Sequence, residues 1–213
     1  MPYELPPLRF AHDALEPHIP ADTVRRHHAV IHRSYVDGIN AVLVEHPELD
    51  GQTIEDLLRS LPRLPESVRE KVRHVGGGHA NHQFLWKVIG PGGGGAATGE
   101  LASAIDRRFG SFTAFRQRFI DTALALVGSG WAFLSLDRSP TGSGELEVFA
   151  LPNNDSVLPL AKPGILICDL WEHGYCARHD DRRADYLEAW FNVVDWNVCD
   201  ARLRGIRAGI RNL

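Results

Sequence analysis

Residues 164–173 read GILICDLWEH, an apolar run that ends in a carboxylate and, four residues after it, a histidine. Its β-branched and aromatic side chains predict a strand. Two similar runs precede it, WAFLSLD at 131–137 and ELEVFALP at 145–152, and turn-forming residues separate the three. Together they predict a small antiparallel sheet, with Asp169 and His173 at the end of its third strand.

The chain before this sheet has a helical pattern. Apolar side chains and histidines recur every three or four residues from about residue 22 to 44, which predicts a long first helix. A short amphipathic stretch lies between 50 and 64, and Pro65 then opens a second long helix that extends to about Ile89. Glycines 76–78 interrupt that helix at a cost of about 1 kcal/mol each. We interpret them as the point where a neighbouring segment approaches closely.

A glycine-rich run, GPGGGGAATG at 90–99, predicts a flexible connector and a domain boundary. The part before it is helical throughout. After it, the pattern predicts helices at about 99–109 and 111–126, then the three strands, and finally a helical segment over 181–203.

The amino-acid composition argues against several classes of function. The chain has 213 residues with 23 basic and 27 acidic side chains, a formal net charge of −4. This acidic excess argues against nucleic acid or an anionic membrane as the main partner. The N-terminal residues lack the pattern of a secretory signal, no long apolar run is present, and three cysteines are too few for a disulfide framework. We therefore expect a cytoplasmic protein with reduced thiols.

Side chains that could bind a metal occur on both predicted helices and at the sheet edge. His27 and Tyr35 lie on the first helix and His82 on the second. With Asp169 and His173 they offer imidazole nitrogens and a carboxylate oxygen, a donor set typical of transition-metal sites. A single helical histidine is more often an ordinary structural residue, so the residues alone leave both interpretations open.

Six strings, in order along nearly the whole chain, resemble the iron/manganese superoxide dismutase family. They are DALEPHI at 13–19, HH…SY at 27–35, GGGHANHQFLW at 76–86, GSGWAFL at 128–134, DLWEHGY at 169–175 and YLEAWFNVVDW at 186–196. The D-x-W-E-H motif is the most specific of them. The resemblance implies an α+β fold with an N-terminal long helical hairpin domain, residues 1–92, and a C-terminal α/β domain, residues 93–213, that contains a three-stranded antiparallel sheet.

The resemblance also implies an activity and a cofactor. It implies a superoxide dismutase that converts superoxide to dioxygen and hydrogen peroxide at one mononuclear manganese or iron ion per chain, and Gly78 favours manganese. The matching motifs place the metal ligands on His27, His82, Asp169 and His173. The implied assembly is a homodimer or a dimer of dimers.

Five further residues occupy family positions around the metal. Tyr35 and Asn154 fall in the network that handles protons and solvent, and Trp131 and Trp171 fall in the aromatic walls. Glu172 falls on a glutamate that bridges to a ligand histidine of the other subunit. These roles are implied by the resemblance.

The chain departs from the family pattern at the substrate funnel. Ile31 stands in place of a gateway histidine, Cys176 in place of the tyrosine that binds it, Asn154 in place of a glutamine, and Val30 in place of a residue that is often basic. Losing both members of a polar pair costs less than leaving one unpaired. The less polar funnel leaves two alternatives to a dismutase. One is a diverged metalloenzyme that oxidises or oxygenates an organic substrate, and the other is a metal-binding protein with vestigial dismutase activity.

Overall fold

The computed structural model describes residues 2–138, 144–160 and 162–210. Its N-terminal part contains two long helices and a short one. Helix α1 passes through Ala21–Arg26, a π-helical turn at His27–His32, and Arg33–Glu45; α2 spans Ile54–Arg59; α3 passes through Glu66–Lys71, a π-helical turn at Val72–Gly76, and Gly77–Val88. The predicted helical hairpin is confirmed.

The C-terminal part combines helices with a sheet. Its elements are α4 Gly99–Phe109, α5 Phe112–Ala125, β1 Gly130–Leu136, β2 Leu146–Pro152, β3 Gly164–Asp169, α6 Glu172–His179, α7 Arg183–Trp190 and α8 Trp196–Arg207. Helix α6, which no sequence pattern predicts, begins soon after β3 and carries His173 in its first turn.

The three strands form one antiparallel sheet in the order β2-β1-β3, as predicted. The central strand β1 is buried along its whole length. In its register Trp131 pairs with Leu151 on one side and with Asp169 on the other. This pairing brings an indole ring to the strand end where Asp169 lies.

The two π-helical turns are features that the sequence pattern does not predict. Each is a wide turn inside a long helix, and such turns occur frequently at functional sites. The turn at His27–His32 carries a histidine of the predicted metal site. The turn at Val72–Gly76 directly precedes the glycines of α3.

The glycines of α3 allow close approach, as the sequence analysis predicts. A Cβ atom on Gly77 would lie 2.1 Å from the backbone oxygen of Asn154. A Cβ atom on Gly78 would lie 2.6 Å from the ring of Tyr35. Real Cβ atoms do not approach other atoms this closely, so only glycine permits the packing of α3 against both residues.

The glycine-rich connector is held against the C-terminal part of the chain, so the prediction that it is flexible is wrong for its first half. The backbone N–H of Gly90 donates to the Val193 oxygen and that of Gly94 to the Val194 oxygen, both at 2.9 Å. A Cβ atom on Gly93 would lie 2.5 Å from the Val193 carbonyl carbon. Glycine here serves close contact between main chains.

Buried apolar side chains form two clusters. The larger surrounds the sheet and includes Phe133 and Leu166, and the smaller lies between α1, α2 and α3 and includes Ile39 and Leu57. Burial of this kind stabilises by about 25 cal/mol per Å² of apolar surface. In the part of the chain that the structure describes, no helix combines the length and the apolar character needed to cross a membrane.

Candidate metal centre

Four side chains from four different elements meet between the hairpin and the sheet. His27 comes from the π-helical turn of α1, His82 from α3, Asp169 from the last position of β3, and His173 from the first turn of α6. Each offers one possible ligand atom, and these four atoms lie within 4.8 Å of one another. The structure brings together all four residues that the sequence analysis named as ligands.

The three imidazoles converge on one carboxylate oxygen. Oδ2 of Asp169 lies 3.0 Å from Nε2 of His27, 3.1 Å from Nε2 of His173 and 3.7 Å from Nε2 of His82. The other oxygen, Oδ1, accepts a hydrogen bond from the backbone N–H of Trp171 at 2.8 Å. That bond fixes the carboxylate plane and leaves Oδ2 directed at the histidines.

The donor atoms fit a metal ion. The Nε2 atoms of His27 and His82 are buried and make no hydrogen bond to any described residue, although buried polar atoms normally have partners. Nδ1 of His82 lies 2.6 Å from the Gly78 oxygen and must donate to it, which leaves the lone pair on Nε2. A second hydrogen bond that fixes the tautomer is characteristic of metal-binding histidines.

Electrostatics favours the protonation states that a metal requires. Burial lowers the pKa of His27 and of His82, so both imidazoles are neutral. Although burial alone raises the pKa of Asp169, the charge and hydrogen bond of His173 and the contact with His27 hold it below the usual range. Three imidazole nitrogens and one carboxylate oxygen form an N₃O donor set, which suits one manganese or iron ion.

Aromatic rings enclose the cluster. Trp131 is fully buried and meets His82 edge-on at 4.9 Å between ring centroids, and Trp171 stacks on His173 at 5.8 Å. Both tryptophans lie where the sequence analysis expects walls. The sequence analysis missed Trp86, whose ring lies 4.9 Å from that of His27. Its spacing of four residues from His82 on the same helix is the signal that could have identified it.

Tyr35 and Asn154 lie next to each other at the edge of the cluster. The Tyr35 ring is 5.3 Å from that of His82. Burial raises the pKa of Tyr35, and hydrogen bonding with Asn154 opposes this rise. The Asn154 side chain is buried and its Oδ1 accepts a hydrogen bond from Nε1 of Trp131 at 3.2 Å. The tyrosine hydroxyl is therefore protonated at neutral pH and linked to a fixed amide.

Glu172 makes its contacts outside the ligand cluster of its own chain. Its side chain is exposed, and Oε2 accepts a hydrogen bond from the Ser129 hydroxyl at 2.6 Å. That hydrogen bond is the main reason why the pKa of Glu172 lies below its usual value. Arg183 lies 4.0 Å away. The carboxylate is therefore charged and accessible on the surface of the single chain.

The residues that replace polar family positions lie at the outer side of α1 and on α6. Val30 is 56% exposed, an unusual position for valine. Ile31 and Cys176 are half-buried. The chain thus carries isoleucine where the family resemblance implies a histidine, cysteine where it implies a tyrosine, and valine where it implies a residue that is often basic.

Buried hydrogen bonds link Trp86, His32 and His79, and the His32 ring packs against His82. Nε1 of Trp86 donates to Nδ1 of His32 at 3.2 Å. Nε2 of His32 must then carry hydrogen, and it donates to Nδ1 of His79 at 2.8 Å. The His32 ring stacks on His82 at 5.2 Å between centroids. These contacts restrict the orientation of a predicted ligand.

The buried His79 predicts a loss of stability in acid. Burial lowers its pKa to about 4, whereas the unfolded chain takes up this proton near pH 6.5. The stability from neutral His79 is therefore complete above about pH 6.5 and declines as the pH falls toward 4, by about 3 kcal/mol in total. We expect the free energy of unfolding in urea to fall less between pH 7.5 and 4.5 in His79→Asn than in wild type at equal metal loading. His12→Asn, at an exposed histidine, is the control, and an unchanged fall in His79→Asn would contradict the prediction.

Comparisons with known proteins agree with this geometry. The family model for the alpha-hairpin domain of iron/manganese superoxide dismutases matches residues 2–90, and the model for their C-terminal domain matches residues 97–202. The chain is 46% identical to "Superoxide dismutase [Mn]" of Pseudomonas aeruginosa, covering 92% of this chain and 94% of that protein. It is also 41% identical to "Superoxide dismutase [Mn]" of Listeria innocua, covering 95% and 98% of the two chains. The chain belongs to the iron/manganese superoxide dismutases.

Proposed function

We propose that this protein is a superoxide dismutase that uses one manganese or iron ion per chain, with manganese preferred. The observation that carries the proposal is the convergence of ligand atoms from three imidazoles and one carboxylate within 4.8 Å of one another. Family membership and relatives named manganese superoxide dismutases support it. The reaction consumes two superoxide ions and two protons and yields one dioxygen and one hydrogen peroxide.

The proposed ligands are Nε2 of His27, Nε2 of His82, Oδ2 of Asp169 and Nε2 of His173. The bound ion would accept an electron from one superoxide and return it to a second. The single carboxylate keeps the net charge of the site low, which suits an ion that changes its oxidation state in a buried environment.

The remaining site residues are proposed to handle protons and exclude bulk water. Tyr35 holds its proton because burial raises its pKa, so its hydroxyl can donate a hydrogen bond toward the cluster. Asn154 fixes that hydroxyl and is itself held by Trp131. Trp131 and Trp171 cover two of the histidines. Water exclusion strengthens the electrostatic interactions of the site.

Two observations bear on whether the substrate is small or organic. The cavity that His27, Trp86 and Trp190 line has a volume of about 10 Å³, which is about the room for one water molecule. The aliphatic residues Val30 and Ile31 are the observation that favours an organic substrate. We place this second candidate behind dismutation because family membership and the relatives named superoxide dismutases support dismutation.

Product stoichiometry tests the proposal. Manganese-loaded protein at catalytic concentration is mixed with superoxide, and dioxygen and hydrogen peroxide are measured together. We expect one of each for every two superoxide ions, over many turnovers per chain. Consumption of a single superoxide per chain would instead indicate vestigial chemistry. Consumption of dioxygen with an added phenol or thiol, without dismutation, would indicate the organic reaction.

Asn154→Gln is expected to change the reduction potential of the bound metal. The longer side chain moves the amide dipole toward the ligands, while the loop that carries it stays in place. A shift of about 60 mV or more is expected, which is a tenfold change for a one-electron couple. Redox titration of the manganese-loaded protein measures it, with Asn192→Gln at an exposed asparagine as the control. An unchanged potential would place residue 154 outside the network that tunes the metal.

We also propose a homodimer in which α6 lies at the interface. The charged and accessible Glu172 and the exposed Val30 support it, and the expected contact of Glu172 is His173 of the other subunit. Sedimentation should give the mass of a dimer, or of a dimer of dimers, at micromolar concentration. Glu172→Ala is expected to weaken the assembly, and a wild-type monomer at that concentration would contradict the proposal.

Two further expectations complete the proposal. We propose that the chain divides into domains at residues 1–92 and 93–213, and the limits of the two family models support this boundary. We propose a cytoplasmic location, supported by three cysteines without disulfides in the structure. Limited proteolysis tests the domain boundary, and cell fractionation tests the location.

A further inference from the structure

One face of α3 is built to hold the turn that follows β2. His74, Gly77 and Asn81 recur at three- and four-residue spacing and therefore share this face. Gly77 packs against the backbone oxygen of Asn154. Nδ2 of Asn81 donates to the Asp155 oxygen at 3.1 Å, and Arg73 forms an ion pair with the Asp155 carboxylate. The turn is thus fixed to α3 through both its backbone and its side chains.

The contacts of Asn154 determine which way its amide faces. Oδ1 accepts the hydrogen bond from Trp131, which can only donate. Nδ2 therefore faces α3, where it lies 3.5 Å from Nδ1 of His74, a long contact beyond the usual range of about 2.7–3.2 Å for a hydrogen bond and at the outer limit of hydrogen bonding. In this contact Nδ2 of Asn154 donates and Nδ1 of His74 accepts.

His74 is the surface member of this group and lies in the second π-helical turn. Its ring also meets the Tyr35 ring edge-on at 5.9 Å between centroids. It therefore touches both residues of the proposed proton network, while the ligand His82 lies two turns further along the same helix. The sequence analysis assigned no role to this histidine.

We propose that His74 is a positioning residue that holds the Asn154 amide, and through it the Tyr35 hydroxyl, in the orientation used by the metal centre. The Asn154 amide has a contact on each of its two sides. Trp131 anchors the oxygen side and His74 the nitrogen side. The catalytic consequence rests on the proposed function, whereas the positioning itself does not.

Two nearly isosteric variants separate hydrogen bonding from packing. His74→Asn keeps an acceptor at the position of Nδ1, and His74→Leu fills similar space without one. His12→Leu, at an exposed histidine outside this face, is the control. The full chain, labelled with ¹⁵N-asparagine, is loaded with Zn²⁺, which is diamagnetic and has no redox chemistry. Solvent exchange of the Asn154 side-chain amide protons is then measured by NMR.

We expect exchange to be three- to tenfold faster in His74→Leu than in wild type, about the range for one neutral hydrogen bond. His74→Asn and His12→Leu should remain near the wild-type rate. In the manganese-loaded proteins, kcat for superoxide should fall by a similar factor in His74→Leu and recover in His74→Asn, with metal content unchanged. An unaltered exchange rate in His74→Leu would overturn the proposal. If amide exchange is faster in His74→Leu but none of the manganese-loaded proteins, wild type included, has dismutase activity, the positioning role of His74 stands and the proposed function is wrong.

Discussion

Replacing Asp169 with asparagine is expected to lower the affinity for manganese by more than about 100-fold and to abolish superoxide consumption. The variant keeps the shape of the side chain but removes its charge. Oδ2 is the atom on which three Nε2 atoms converge, at 3.0 to 3.7 Å. Loss of an outer hydrogen-bond partner alone costs 10- to 100-fold in metal affinity, so loss of the only anionic ligand should cost more.

Metal content per chain after dialysis and the rate of superoxide decay measure this effect. Asp121→Asn is the matched control, because Asp121 is exposed on α5 and its carboxylate accepts a hydrogen bond only from Gln117 in the described contacts. The control should keep wild-type metal content and activity. An Asp169→Asn protein that still carries one manganese per chain and consumes superoxide at the wild-type rate would show that the metal lies elsewhere.

Replacing Gly77 with alanine is expected to destabilise the protein by about 2 kcal/mol or more. Alanine in a helix interior ordinarily gains about 1 kcal/mol over glycine. Here the new Cβ would lie 2.1 Å from the backbone oxygen of Asn154, and a clash this close should cost about 3 kcal/mol or more, the upper end of the range for overpacking. The clash should prevail, because the turn is also fixed by Arg73 and Asn81 and cannot move freely.

Thermal unfolding measures the sign of this effect directly. For a chain of this size the expected fall in Tm is about 4–8 °C. Gly90→Ala is the control, since a Cβ atom there meets nothing within 4 Å, and its Tm should stay near that of wild type. A rise in the Tm of Gly77→Ala would mean that α3 does not pack tightly against the turn that carries Asn154.

Local patterns were sufficient for most elements of the fold, but not for α6 or for the two π-helical turns. The apolar runs that became β1, β2 and β3 carry their own strand signal, and the long periodic stretches gave α1 and α3. Glycines 76–78 were informative because glycine inside a helix is unfavourable unless something approaches it. The approaching residues, Tyr35 and Asn154, were not predictable from periodicity, because they lie about 40 and 77 positions away in sequence.

Residues whose role depends on distant partners were harder to find. The four ligands were grouped through the resemblance to a family, since no single histidine distinguishes itself from an ordinary helical residue. Trp86 and His74 escaped notice because their significance lies in contacts with His27 and Asn154. The docking of Gly90 and Gly94 on the Val193–Val194 backbone likewise has no local signal, and composition alone indicated a flexible linker.

The most direct test of the central claim combines metal analysis with kinetics on the purified protein. Metal content is measured as isolated and after reconstitution with manganese or iron, and superoxide decay is followed for each form. The account predicts one ion per chain and a kcat/KM near the diffusional range of about 10⁸–10⁹ M⁻¹s⁻¹. A site that is filled with one ion per chain, yet leaves superoxide to decay at its uncatalysed rate with either metal, would contradict it.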